Sequence, residues 1–459
     1  MFVNRERERE FIERKLRSPR AELVVIYGRR RVGKTFLLEN TLKDAIFFTA
    51  DLSNPFLLMN RFFDQLKELN GIPERARIDD WDSFFQVLHQ TVRLGKARVF
   101  VFDEFQYIPQ RSEEFLSVMQ RWWDCCLSKT DVKIFLCGSS VGMMERIVME
   151  VSSPLYGRRT GQYRVLPFDF FESQLLLNRM ECHDRILSYA TLGGIPLYLL
   201  EFQPYSFYNR ALLEKLLTPG EFLVEEGKFL FLEEFKKDPS NYVSIMKSIS
   251  SGRRTPNEIS NDTGIEYRKL ATYLSRLVEL GIVGREYPFS LRTPPKKPLY
   301  YVKDEYLRFY FKYIYPNVER IYRGKGEDIS REIFRDLHIH VSFVFEDIAR
   351  QYITRLLNPD KIGRWWTSNA EIDIVAVKGD ELIVGECKWR NKPMDFRILR
   401  DLEGKTSKLL ESLNFSPRIV RYFLFSKSGF DDSVSPSENV MLIDLRDLCT
   451  STNGFQSDK

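Results

Sequence analysis

Cysteine and histidine are scarce, at six and four in 459 residues. The cysteines, Cys125, Cys126, Cys137, Cys182, Cys387 and Cys449, form no CxxC, and the histidines form no HExxH. A zinc knuckle and a His-based zinc hydrolase are therefore excluded. The adjacent Cys125 and Cys126 are badly placed for an ordinary disulfide, so all six are expected as reduced core thiols. No stretch approaches the ~20 apolar residues that cross a bilayer. The charged start, Met1 to Glu10, has no signal-peptide core. A cytoplasmic protein with no membrane partner is expected. A large charge excess is also missing: the net charge of +5 permits nucleic acid without demanding it. Aromatic residues are abundant, with 36 Phe and 21 Tyr, enough for large cores. The length suggests about two to four domains.

The sharpest motif lies in residues 22–35, where the apolar run Leu23–Tyr27 leads into Gly28-Arg29-Arg30-Arg31-Val32-Gly33-Lys34-Thr35. The run predicts a buried parallel strand, and Thr35–Leu42 predicts a helix. Glycines let the backbone turn tightly enough for its N–H groups to surround phosphate oxygens. The helix N-terminus favours the same anion. Lys34 would reach the β- and γ-phosphates and the Thr35 hydroxyl would bind Mg²⁺. Gly28 through Thr35 is thus a candidate ATP site.

A second apolar run, Val99–Phe102, ends in Asp103-Glu104. Open α/β sheets bind ligands at the C-terminal ends of strands. Asp103 is suited to Mg²⁺ and Glu104 to polarising the attacking water. A third strand, Val132–Cys137, ends in Gly138-Ser139-Ser140. If it lies beside the Asp103 strand, Ser139 or Ser140 places a hydroxyl near the γ-phosphate. Ala45–Ala50 reads as a further strand, and Phe56–Leu69 and Glu113–Leu127 as helices. The alternation predicts a parallel sheet covered on both faces.

Here the chain resembles archaeal-type AAA+ ATPases near the signal-transducing STAND NTPases. The resemblance rests on Phe2-Val3-Asn4-Arg5-Glu6, the GRRRVGKT loop, Phe102-Asp103-Glu104, Gly138-Ser139-Ser140 and Pro154-Leu155-Tyr156-Gly157-Arg158. It implies that Arg158, with Arg159 the alternative, is an arginine finger on a γ-phosphate, through a homo-oligomer if it acts in trans. A guanidinium offsets the charge that develops in phosphoryl transfer. The resemblance also implies that Gly194-Ile195-Pro196 contacts nucleotide from a helical lid.

Residues 235–305 predict a winged helix-turn-helix. Tyr242–Ser250 is one helix, and Thr255-Pro256 caps the next. Tyr267–Leu280 is an amphipathic helix with Leu270, Tyr273, Leu274, Leu277 and Val278 on its apolar stripe. Ile282–Tyr287 and Leu299–Val302 form the hairpin. Arg268, Lys269, Thr272, Ser275 and Arg276 would face a DNA major groove, and Arg292, Lys296 and Lys297 in the wing would meet phosphates. The same fold can also serve for protein packing. Pro316 and the polar run 323–328 mark a linker at 306–330.

The C-terminal 331–459 holds a second constellation. Arg331–Leu357 predicts a helix carrying Glu346. A two-residue turn at Gly379-Asp380 would place Lys378 opposite Glu381. Counting back sets Asp373 opposite Glu386 with Cβ atoms ~5 Å apart. Lys388 shares that face of the strand. Two close carboxylates call for a cation between them, and a hard metal fits. Trp365 and Trp366 precede the site, open to packing or to base stacking. The pattern resembles the PD-(D/E)xK nuclease superfamily, with Ile372 where the name-giving proline would stand. The resemblance implies Asp373, Glu386 and Glu346 as metal ligands and Lys388 as the catalytic lysine.

The expected architecture is an α/β multidomain chain. A P-loop ATPase domain (1–165) is followed by a helical lid (166–234), a winged helix (235–305), a linker (306–330) and a restriction-endonuclease-like domain (331–459). The order resembles archaeal-type ATPases with a C-terminal DUF234-type domain. The expected cofactors are ATP and Mg²⁺, with Mn²⁺ an alternative at the second site, and the expected partner is DNA. One function is ATP-controlled, metal-dependent DNA cleavage. The other is a nucleotide-switched DNA-binding regulator whose nuclease-like domain is inactive.

Overall fold

The computed structural model of the protein describes residues 3–235, 238–292 and 298–450. The chain divides into two compact units between Pro167 and Phe168.

In the first unit, β1 (Glu22–Tyr27), β2 (Ile46–Thr49), β3 (Val99–Asp103), β4 (Lys133–Gly138) and β5 (Gly161–Arg164) form one parallel sheet, ordered β2-β3-β4-β1-β5. Every residue of β1, β3 and β4 is buried, as expected for central strands covered by helices on both faces. One face packs Phe48, Phe62, Trp81, Phe84, Phe100, Phe102 and Phe115 into a single cluster. Each predicted strand and helix is found within two residues of its expected ends. The helix Trp81–Arg93 and the edge strand β5 were not foreseen.

The second unit opens with the short helix Phe170–Ser173, followed by helices Cys182–Leu192 and Pro196–Phe202, which Gly193, Gly194 and Ile195 join. Gly194 packs against the Phe168 backbone so closely that a Cβ would lie 1.7 Å from the Phe168 carbonyl oxygen, while the Phe168 N–H donates to the Gly194 carbonyl at 2.8 Å. Backbone cannot yield there as a flexible side chain would. Gly194→Ala is expected to lower the unfolding midpoint of this unit by several °C, on the order of 2–4 °C per kcal/mol lost. Thermal unfolding followed by circular dichroism checks this.

The winged helix-turn-helix is present. It comprises helices Pro239–Ser250, Pro256–Thr263 and Tyr267–Glu279, with β6 (Val283–Glu286) antiparallel to β7 (Leu299–Val302). Thr255 and Glu258 close a capping box on the middle helix. On the apolar stripe of Tyr267–Glu279, Leu270, Leu274 and Leu277 are buried and Tyr273 and Val278 half-buried, while on the polar side Arg268, Lys269 and Thr272 are exposed and Ser275 and Arg276 half-buried. Lys296 and Lys297 lie outside the described residues.

Two expectations are corrected. Residues 306–330 are no linker: they run through the helices Glu305–Phe309, Tyr310–Ile314 and Val318–Tyr322 into the start of the long helix Gly326–Leu357. Tyr306, Phe309, Tyr310, Phe311 and Tyr313 are all buried, an aromatic density that outweighs the Pro316 signal. Nor are all six cysteines thiols. Cys182 is joined to Cys449, with Cα atoms 5.9 Å apart, and the sulfurs of Cys125 and Cys126 are in bonding contact. Cys137 and Cys387 are free and buried. The Cys182–Cys449 partners stand 267 residues apart, beyond the reach of a spacing rule.

Glu305 sits against Gly193, where a Cβ would lie 3.2 Å from Glu305 Oε2. Burial pushes its carboxyl from 4.5 up to about 7. The folded chain therefore keeps a proton that the unfolded chain releases earlier, so this group's contribution is present below pH 4.5 and is lost as pH rises through about 7. Glu305→Gln is expected to raise the unfolding midpoint at pH 8.5 by about 2–4 °C and to leave it unchanged near pH 4.5. Paired melts at the two pH values test the sign.

The chain ends on a mixed sheet, ordered β12-β11-β10-β9-β8, of β8 (Lys361–Trp366), β9 (Glu371–Lys378), β10 (Glu381–Lys388), β11 (Ile419–Ser426) and β12 (Val440–Ile443). Helices Gly326–Leu357 and Phe396–Leu413 pack against it. Trp365 is buried in its core together with Phe289, which follows β6. The wing thus begins on β8: the Phe289 N–H donates to the Arg364 carbonyl at 2.6 Å, and Lys361 Nζ donates to the Ser290 carbonyl. Among the described residues no helix is long and apolar enough to cross a membrane.

Candidate active sites

Strand order brings three loops together at one end of the first sheet. β4 lies between β1 and β3, so the loop Gly28–Thr35, the pair Asp103-Glu104 and Ser139 all leave adjacent strands. Gly28 must be glycine: a Cβ there would stand 2.2 Å from the Val165 carbonyl oxygen. Arg31 and Gly33 take left-handed conformations, with φ of 69° and 87°, which curl the loop before the helix Lys34–Thr41.

Lys34 is 6% exposed and its Nζ donates to the Arg29 carbonyl at 3.0 Å. Burial pushes its pKa down, against the pull of the neighbouring Asp103 and Glu104 carboxylates. An arriving phosphate would favour the charged form further. Thr35 Oγ1 donates to Asp103 Oδ2 at 2.9 Å, so the two residues expected to hold Mg²⁺ already touch. Asp103 Oδ1 accepts the Glu104 N–H at 3.0 Å. Glu104 has a φ of 50°, a sparsely populated conformation of the kind found at functional sites. Of the two serines, Ser139 faces it, with Oγ donating to Glu104 Oε2 at 2.7 Å.

The second constellation follows the register counted from the sequence. β9 and β10 pair from Glu381↔Lys378 to Gly385↔Ile374, and the next positions along are Glu386 and Asp373. Asp373 Oδ2 accepts the Cys387 N–H at 2.9 Å. Lys388 Nζ is paired with Glu386 Oε1, and Lys405 Nζ stands 3.8 Å from Glu386 Oε2. Burial first, and the Asp373 carboxylate second, push both Glu346 and Glu386 up. Lys388 is pushed down by burial, but the Glu386 carboxylate outweighs this and its pKa is raised. Arg364 Nε lies 3.4 Å from Glu346 Oε2, and Arg350 Nη1 lies 3.9 Å from the same oxygen. Arg364 also reaches Glu286 of β6 at 3.5 Å, and Glu286 accepts from Arg254 at 2.7 Å. Among the described residues no three metal-type side chains converge as a formed ligand cluster. Glu386 Oε2 is nevertheless buried without a hydrogen-bond partner, and the crowded carboxylates are raised as expected where a cation is called for.

A family model described as an ATPase domain predominantly from Archaea matches residues 2–202, and a second, DUF234, described as archaea bacterial proteins of unknown function, matches 310–401. The uncharacterized protein MJECL04 of Methanocaldococcus jannaschii is 32% identical over 424 residues, covering 89% of this chain and 92% of that protein. The chain belongs to the archaeal-type ATPases with a C-terminal DUF234 domain. Among solved structures, the ATPase is similar in fold to the Walker-type ATPase PABY2304 of Pyrococcus abyssi. That match has a TM-score of 0.53 and 20% identity and covers 68% of this chain and 96% of that one. The ORC2 protein of Aeropyrum pernix matches with a TM-score of 0.50 and 14% identity, covering 70% and 95%.

The ATPase does not bring Arg158 to its own phosphate loop. Arg158 precedes β5, at the end of the sheet where β1 starts, and its guanidinium grips Asp124 at 2.7 Å. A strand's length, on the order of 15 Å at ~3.3 Å per residue, separates it from Gly28. Three residues that the motifs did not mark as site residues also belong here. Arg5 ties the N-terminal segment to the Val32 carbonyl at 3.0 Å and the Leu166 carbonyl at 2.8 Å. Gln106 bonds Glu104, and Lys405 joins the acidic face of β10 from the helix Phe396–Leu413.

Proposed function

We propose that this ATPase couples its nucleotide cycle to DNA bound by the winged helix, and that its C-terminal sheet cleaves that DNA. At the first site Lys34 and the loop N–H groups would hold the triphosphate. Glu104 would take a proton from the attacking water. Ser139 would hydrogen-bond the γ-phosphate. Bound through Thr35 and Asp103, Mg²⁺ supplies charge neutralisation on the phosphates. Arg158 fits the nucleotide of a neighbouring subunit, since its own loop is out of reach.

One observation carries the cleavage reading: Asp373, Glu386 and Lys388 share one face beside Glu346, with a buried Glu386 oxygen left unsatisfied. Asp373, Glu386 and Glu346 would hold a divalent metal there, and that metal would supply Lewis-acid chemistry on water and phosphodiester. Lys388 would offset the charge developing on the attacked phosphate. Exposed Arg268, Lys269 and Thr272 would meet the DNA.

A second reading is favoured by the cations already seated on the acidic face, Arg364, Arg350, Lys388 and Lys405. In it, the same fold binds DNA without cutting. Incubating the full chain with single-stranded, duplex and branched DNA, under Mg²⁺ or Mn²⁺ and with or without ATP, separates the two. Metal-dependent products support cleavage. ATP-dependent DNA retention with intact DNA under both metals supports the regulator.

A further inference from the structure

Gln106 lies in the turn after β3, two residues beyond Glu104, and is 1% exposed. Its Nε2 donates to Glu104 Oε2 at 2.5 Å and to Ser139 Oγ at 3.1 Å. Ser139 donates to the same Glu104 oxygen. Two donors therefore hold one carboxylate oxygen, which leaves Oε1 to meet a water. At the other end of the amide, Gln106 Oε1 is buried with no hydrogen-bond partner, packed against Gly138, where a Cβ would lie 2.7 Å away. An unsatisfied buried oxygen is costly. An apolar side chain of the same size would fill the space without that cost, so filling space does not account for a glutamine here. The Nε2 end does, because the Glu104 backbone is itself in a left-handed conformation and its side chain needs an external partner to set its direction.

We propose that Gln106 is a positioning residue for ATP hydrolysis. It fixes the aim of Glu104 and ties it to Ser139, so that the carboxylate moves into line when Ser139 turns to the γ-phosphate. This rests on Glu104 being the group that activates water, and the test is built to separate the two claims.

The test uses the full chain in five forms: wild type, Gln106→Leu, Gln106→Met, Glu104→Gln and the Glu104→Gln/Gln106→Leu double variant. Single-turnover and steady-state ATP hydrolysis are measured with Mg²⁺, alongside mant-ATP affinity and the unfolding midpoint. Gln106→Leu is expected to lower kcat by about 10- to 100-fold, with KM and mant-ATP affinity within threefold. It should add nothing in the Glu104→Gln background. Gln106→Met keeps the side chain's length and should behave as Gln106→Leu, so a poorly folded leucine variant does not leave the question open. Wild-type kcat in both variants overturns the proposal, as does a matching loss of affinity or a further loss in the double variant. Full turnover by Glu104→Gln would remove the assignment of Glu104 itself, and the proposal with it.

Discussion

Lys34→Ala is expected to reduce ATP turnover by on the order of 10³-fold or more while the chain stays folded. The Lys34 ammonium is nearly enclosed and is directed into the phosphate loop by its bond to the Arg29 carbonyl. In that enclosed setting its charge acts on bound phosphate with little screening from water. Alanine removes the charge but keeps the helix Lys34–Thr41, since alanine is the best helix former. Phosphate release measured at saturating ATP checks the size of the loss, and mant-ATP titration shows how much of it is binding. Turnover within tenfold of wild type would move the active site elsewhere.

Asp373→Asn should abolish DNA cleavage, by about 10³-fold or more, and leave ATP turnover within twofold. Asparagine retains a carbonyl oxygen for the Cys387 N–H, the bond that Asp373 Oδ2 makes at 2.9 Å, so β9 and β10 keep their register. It removes the negative charge that a metal would need. ATP turnover is spared because Asp373 and Lys34 belong to different compact units. Gel analysis of duplex DNA under Mg²⁺ or Mn²⁺ reads the outcome. Undiminished cutting by the variant would defeat the site assignment, and a parallel loss of ATPase would point to misfolding.

How much of this was legible in the sequence depended on how local each signal was. Gly28 to Thr35 are contiguous, and their glycines, lysine and threonine stand at the spacing of a phosphate loop, so the loop could be read directly. The second site needed one inference: the Gly379-Asp380 turn fixed a register from which Asp373 and Glu386 could be counted. Gln106 gave no such signal, because its role exists only once β3 lies beside β4 and Ser139 comes within reach. Lys405 stands seventeen positions after Lys388, and its place is set by the packing of the helix Phe396–Leu413 on the sheet. The Cys182–Cys449 pair and the seating of Phe289 on β8 are likewise products of tertiary contact. In 306–330 a proline and a polar run signal a linker locally, but five aromatics that find their burial only in tertiary packing decide the structure.

On the proposed reading, in which the chain binds and cuts DNA, the seating of the wing has a geometric consequence. Through Phe289 and the Glu286–Arg364 pair, the module that would grip the duplex is anchored directly to the sheet that would sever it. Such an arrangement works as a ruler. Breaks should then fall at a constant number of base pairs from the gripped position, whatever the intervening sequence.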